Sequence, residues 1–355
     1  TSSDVVGENW SVHGGGFYHS QKYMNAPKQM PATLHWFKYE AYSTWISGFC
    51  LMAVMYYWSA SFYLIDNEKI ILKPWEAVSL SITFLVLGWI IYDLTCKSKL
   101  GKKTSILAVI VFFFIIGCAT LLSKTFSDRA ALLHVGAIIG GMMAGNVFFI
   151  IIPNQKRAVA DLIAGKTPDP SLGAQAKQRS IHNNYLTLPV LFMMISSHYP
   201  MLANHNLIPI TVGFILLIGG IVRHFFNSFN AGQHRKYLIW QWPTASILTI
   251  LLILLISYRS PSFTEADQPV SAQAAMKIIQ KRCVSCHAQR PINDAFETAA
   301  GGLSFESLDG VKKNIKNILD QAVLSRAMPM GNITGMSKRE RESLGKWINS
   351  ELKKD

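Results

Sequence analysis

Seven stretches of this chain approach the length at which a polypeptide can cross a bilayer: about 41–64, 75–95, 105–122, 130–152, 184–200, 207–226 and 238–258. Roughly 20 apolar residues are needed to span the hydrocarbon layer as helix. Inside that layer backbone amides find no water, so each segment must close its own hydrogen bonds. Half of the 355 residues are hydrophobic and only 15% are charged, and the mean hydropathy is +0.23. That is too apolar for an ordinary soluble protein of this size. The pattern predicts an all-α fold, a polytopic transmembrane helical bundle over 41–258. The fifth stretch is its weakest member, short and containing Pro189.

The loops predict an orientation. Those after the second, fourth and sixth stretches carry 12 basic residues, including Lys97, Lys102, Lys156, Arg157, Arg179 and Arg223. The alternate loops carry four: Lys69, Lys73, Lys124 and Arg129. The positive-inside rule puts the first set, and with it the segment 1–40, in the cytoplasm. The formal charge of +13 then reflects topology. The basic residues form no single stripe, so lipid is the expected partner and nucleic acid is not. The chain starts at Thr1 with no methionine or signal sequence, so a processed or partial chain is expected.

Past the last apolar stretch stands Cys283-Val284-Ser285-Cys286-His287. Two thiols three apart with an imidazole after the second are the signature of covalent c-type haem attachment. Each sulfur adds to one haem vinyl, and the short turn presents His287 to the iron. The stretch 274–282 reads as an amphipathic helix delivering the motif. Met328-Pro329 follows His287 by 41 residues, where a distal thioether ligand is expected, with Met330 and Met336 as rivals. A final helix over 337–352, with Leu344, Trp347 and Ile348 on one face, should pack on the first. A zinc site would need further thiols nearby, and Cys50, Cys96 and Cys118 lie in or beside apolar segments, as buried thiols do. Residues 270–355 are therefore expected to form a small α-helical, class I-like cytochrome c domain with one haem c. A polar linker at 259–269 joins it to the bundle, and the topology places it in the periplasm.

Polar residues in and beside the apolar segments mark candidate sites. His13, the triplet Gly14 to Gly16, and His35, Trp36, Lys38 and Glu40 suggest a loop whose backbone approaches a planar ligand. The plainer reading is that the glycines make turns and the aromatics line the membrane interface. Ionisable residues within membrane helices are functional candidates by default, which singles out His134, His182 beside Asn183 and Asn184, and His224. For each, a satisfied structural histidine is the competing reading. Oxidation at the cytoplasmic face with a periplasmic haem as acceptor would require electrons to cross about 30 Å. Histidines on facing helices hold b-type haem, so His134 is a candidate ligand for a non-covalent haem b acting as relay.

The runs VHGGGFYHSQKY at 12–23 and LHWFKYEAYSTWISGF at 34–49, the segment containing Asp66, the small-residue helix at 134–153 and the run at 182–200, followed by a c-type motif, resemble the bacterial membrane-bound urate oxidase (urate hydroxylase) family. The resemblance implies a role in purine catabolism at the bacterial inner membrane. Urate would be oxidised to 5-hydroxyisourate, and electrons would pass to the fused cytochrome and on to a downstream respiratory acceptor. It also implies one more transmembrane helix before the first found here. Urate is a flat, mostly monoanionic purine. Stacking from Trp36, Phe37 or Tyr39, amides from Asn183 and Asn184, charge from Lys38 or Arg223, and a base among His35, Glu40 and His182 are compatible with it. The expected pocket thus gathers His13, His35, Lys38, Glu40, His182, Asn183, Asn184 and His224 on one face of the membrane. Two other readings stay open: a membrane dehydrogenase or quinol-linked protein acting on another small molecule, and a membrane-anchored cytochrome c without catalysis. One anchor helix would suffice for the last, so seven argue for a site in the bundle.

Overall fold

The computed structural model describes residues 5–23, 30–31, 33–199, 202, 207–233, 239–257 and 270–354. The expected linker at 259–269 lies outside them. The described residues fall into two compact units, one drawn from 1–44 and 144–181 and the other from 45–143 and 182–355.

The first unit begins with a β-hairpin, which corrects the all-α expectation. Strands β1 (Val5–His13) and β2 (Gly16–Tyr23) pair antiparallel with Trp10 opposite His19 and His13 opposite Gly16. Gly14 and Gly15 form the turn with φ of +58° and +79°. A two-residue hairpin turn needs the left-handed region at both positions, and glycine enters it without a Cβ penalty. The glycine triplet therefore serves a turn, and a Cβ at Gly14 or Gly15 would meet nothing within 4 Å. Across the strands the Trp10 and His19 rings stack at 4.0 Å.

The first apolar stretch is not one helix. It is α1 (Tyr39–Met52), a π-helical turn over Ala53–Tyr57, and a short α2 (Ala60–Tyr63). The break falls at Ser59, with φ −113° and ψ 46°. Beyond it Ser127 takes up the last carbonyls of α2, its N–H donating to Leu64 O at 2.9 Å and its hydroxyl to Tyr63 O at 2.5 Å. Next come α3 (Pro74–Lys97) and α4 (Thr104–Thr125). Then α5 (Asp128–Gly145) runs through a π-helical turn into α6 (Ile152–Ile163). The fifth stretch is only the second half of α7 (Pro170–Ile195), so much of the chain expected as loop between the fourth and fifth stretches is helical. α8 (Ile208–Asn230) and α9 (Gln241–Ser257) complete the apolar set. Among the described residues, the runs 74–97, 104–125, 128–163 and 208–230 are long and apolar enough to cross a membrane, and α9 is a shorter apolar helix.

The interior of these helices is mainly apolar, with Leu107, Ile115, Leu122, Ile139 and Met193 fully buried, but polar groups are buried among them and the exterior is apolar as well. Ser81, Asp93, His134, Asn146, Arg179, Thr211 and Gln241 are buried, while Val109, Phe113, Ile250 and Leu254 are exposed. An apolar exterior of this extent is what lipid would cover. The small-residue run of α5 allows close helix packing, since a Cβ at Gly136 would come 3.1 Å from that of Met193 on α7.

A second, smaller core belongs to α10 (Ala272–Arg282), α11 (Leu308–Lys313), α12 (Ile315–Ile318) and α13 (Lys338–Leu352). Ala275, Ile279, Phe305, Val311, Leu344, Trp347 and Ile348 fill it. Ser337 begins α13 with a reciprocal cap, its hydroxyl accepting from Glu340 N–H at 3.2 Å while Glu340 accepts from Ser337 N–H at 2.8 Å. Such caps satisfy amide donors that a helix leaves open at its start. Arg282 at the end of α10 grips Glu340 with Nε and Nη2 at 3.0–3.1 Å. The predicted packing of the first helix on the last is therefore present.

Candidate functional site

The turn that closes α10 carries the Cys-x-x-Cys-His motif. Cys286 and His287 both donate backbone N–H bonds to Cys283 O, at 3.2 and 2.9 Å. One turn of chain thus presents both thiols and the imidazole, and both thiols are free. Burial pushes the Cys283 thiol up to about 12, against the pull of Arg341. His287 Nδ1 donates to Leu303 O at 3.1 Å and its ring lies 4.7 Å from that of Phe305. That bond fixes the tautomer with the lone pair on Nε2, the arrangement seen in metal-ligating histidines. Burial also lowers the His287 pKa, which keeps the ring neutral near neutral pH.

Met328 packs against the same core as Cys283. Of its rivals, Met336 is fully buried within that core, and Met330 lines a cleft with Phe62 and Tyr63. Two thiols, a neutral imidazole and a thioether are a donor set that suits a c-type haem. Among the described residues no group of three or more His, Cys, Asp or Glu could hold a separate metal ion.

In the second unit, four consecutive residues of α7 reach three neighbouring helices, because successive side chains rotate about 100° around a helix axis. His182 Nδ1 bonds Tyr92 OH of α3 at 2.7 Å and lies 4.0 Å from Cys96 Sγ. Asn183 donates to Met143 O of α5 at 3.0 Å. Asn184 Oδ1 accepts from Arg223 Nε at 3.1 Å and Asn227 Nδ2 at 2.7 Å, both on α8. Tyr185 OH meets His224 Nδ1 at 2.9 Å with the rings stacked. Asn183 is thus spent on the backbone, whereas Asn184 orients a guanidinium.

His134 sits at another level. Its Nδ1 bonds Ala130 O at 2.7 Å and its Nε2 bonds Ser81 Oγ at 2.6 Å, with Tyr57 OH 2.8 Å from the same hydroxyl. Ser81 and Tyr92 are eleven residues apart on α3, so the two histidine levels are separated by ~16 Å. Both His134 nitrogens are engaged, as in a satisfied structural histidine. Ligation of a haem b would require Ser81 to give up Nε2, so the expected haem b ligand does not fit as arranged.

The remaining sequence candidates belong to the first unit. His35 pairs with Glu40 at 3.6 Å, both well exposed at 68% and 61%. The Lys38 ammonium lies 4.6 Å from the centre of the Tyr39 ring. His13 ends β1 on the surface, opposite Gly16. His13, His35, Lys38 and Glu40 belong to the first unit, and His182, Asn183, Asn184 and His224 to the second. Sequence reading missed Tyr92, Cys96 and Asn227 as partners. It also passed over Asp93, buried at the end of an apolar stretch and paired with Lys97 at 2.7 Å, although a carboxylate at such a position is a signal in itself.

A largely helical chain with an apolar exterior and four helices long and apolar enough to span a bilayer, among the described residues, is consistent with a membrane-associated helical protein. Residues 1–257 match the family model described as urate oxidase N-terminal, and the chain belongs to that family. No curated protein and no solved structure matches it. The match ends before α10, so the region that carries the Cys-x-x-Cys-His turn lies beyond it.

Proposed function

We propose that this chain oxidises urate to 5-hydroxyisourate at the cluster around His182, Asn184 and Arg223, and that the electrons leave through a c-type haem held by Cys283, Cys286, His287 and Met328. The observation that carries the reading is the family match over 1–257, which includes every residue of that cluster. Urate and water give 5-hydroxyisourate, two protons and two electrons. With the electrons taken by haem, the new oxygen atom comes from water. A haem held by Cys283, Cys286, His287 and Met328 would supply one-electron acceptor chemistry.

The chain's own residues supply the rest. Arg223, its Nε held by Asn184, offers planar donors to the urate anion. His182, hydrogen-bonded through Nδ1 to Tyr92 OH, is the candidate general base toward urate or the attacking water. Tyr92 lies 18 residues along α3 from Pro74, ~27 Å at the helical rise, so an electron carrier is needed over that distance. His134, with both ring nitrogens engaged by Ser81 and Ala130, is not its ligand as arranged. The reading puts the chain in the inner membrane with 270–355 on the periplasmic side.

An anaerobic spectrum of the purified protein before and after urate tests this. Urate should reduce the covalent haem without any other donor. A haem that dithionite or a quinol reduces and urate does not would favour the dehydrogenase or quinol-linked reading instead.

A further inference from the structure

The backbone of Met328 is held at both ends by side chains and segments that also touch the membrane bundle. Its N–H donates to Gln321 O at 2.8 Å. Its carbonyl accepts from Arg341 Nη1 at 2.6 Å. Gln321 in turn accepts from Arg129 of α5 through its side chain, Nη2 to Oε1 at 3.5 Å. Arg341 Nε faces Glu68 Oε1 at 3.6 Å, with the Arg341 side chain only 4% exposed. The same guanidinium also donates to Ala322 O and to Asn332 Oδ1. One buried arginine therefore joins α13, the methionine loop and the segment between α2 and α3.

That segment is itself anchored. Lys69 bonds Asp128 at 2.5 Å and Phe126 O at 2.7 Å, and Glu68 N–H donates to Asp66 Oδ1 at 3.0 Å. Three residues after Met328, the loop presses its backbone onto the end of α2. Gly331 has a φ of +56°, and a Cβ there would lie 2.5 Å from Ser61 O and 3.0 Å from Ile65 O. Only glycine permits both that conformation and that approach. A buried cation stripped of its carboxylate partner is costly, by more than a surface pair is worth, so the carboxylate of Glu68 bears on where Arg341, and with it the Met328 carbonyl, can sit.

We infer that Glu68 and Arg341 are positioning residues through which docking on the membrane bundle keeps Met328 on the haem iron. The inference rests on the reading of Met328 as the sixth ligand. Docking and ligation are then coupled: what loosens the joint frees the thioether, exposes the iron to small ligands and lowers its potential, since thioether ligation raises it. The membrane bundle thereby sets the redox poise of its own electron acceptor.

The test uses the full-length, haem-loaded protein in detergent with Glu68→Ala, Gly331→Ala and Met328→Ala. Three readouts apply: the thioether-to-iron band of the ferric state, the midpoint potential, and the share of ferrous haem that binds carbon monoxide. Glu68→Ala lies far from the cytochrome sequence and should retain full covalent haem. It should nevertheless weaken the band, lower the potential and raise the carbon monoxide-binding share about tenfold, the factor that ~1.4 kcal/mol of lost docking gives. Gly331→Ala should do the same from the other side of the joint. If Met328→Ala removes the band while both other variants keep the wild-type band and potential, the coupling is overturned and the ligand assignment stands. If Met328→Ala leaves the band intact, the ligand assignment falls and the coupling with it.

Discussion

Replacing His182 with alanine should slow urate-driven haem reduction far more than replacing its partner, Tyr92, with phenylalanine. His182 is assigned the proton transfer, and losing a positioned general base costs about 10²-fold or more. Tyr92 acts on His182 through its 2.7 Å bond to Nδ1. A bond of that kind contributes a net ~1 kcal/mol, so Tyr92→Phe should cost roughly fivefold by favouring the wrong tautomer or ring orientation. Dithionite reduction of the covalent haem and its ferrous spectrum should be wild-type in both variants, because neither residue lies near α10 to α13. The assay is anaerobic stopped-flow reduction by urate across a range of concentrations. The His182 defect should persist at saturating urate, whereas a loss of binding through Asn184→Ala, which frees Arg223 Nε, should shift the concentration dependence. Urate-driven reduction at the wild-type rate in His182→Ala would refute the assignment of the base.

Three further outcomes are expected. A membrane-impermeant thiol reagent applied to intact cells should label Lys338→Cys, an exposed position on α13, and spare Ser171→Cys; the reverse would invert the proposed orientation. Burial raises the Glu340 carboxyl, but hydrogen bonds from Ser337 and Arg282 outweigh it and hold the group below its usual range. A folded pKa below the unfolded value near 4.3 means that this stabilisation is complete above that value and is lost as pH falls through the folded one. The loss of the α10–α13 packing in acid should therefore be blunted in Glu340→Gln, as read by the haem Soret band; an unchanged acid midpoint would show that this pair does not control it. Ser81→Ala leaves His134 Nε2 without its partner and should lower stability by about 1–3 kcal/mol, measured as a fall in the melting temperature in detergent, and an unchanged melt would show that the chain through Tyr57 and His134 contributes nothing net.

Local physics was legible in the residues alone. An apolar run that must close its own hydrogen bonds has few alternatives to helix, so α3, α4, α5, α8 and α9 lay close to where composition put them. The same holds for the turn at Cys283 to His287, whose residue types carry their chemistry in their spacing, and for the Ser337 cap. The hairpin escaped because its strands are almost wholly exposed, so no face needed the alternation of apolar residues that betrays a strand. The break at Ser59 and the early start of α7 escaped because neither changes the hydropathy of the run.

What tertiary structure alone decided is which polar groups meet. Position within an apolar stretch marked His134 and His182 alike, yet one is closed off by Ser81 and Ala130 while the other faces Tyr92. Nothing in the residues around 68 or 341 signals that they are partners, because contact between segments so distant in the chain depends on how helices cross and how their side chains point. The sequence alone determined that the chain forms apolar helices and carries a Cys-x-x-Cys-His turn beyond them. The packing of those helices decided where His182, the guanidinium fixed by Asn184 and the methionine loop anchored to the bundle stand.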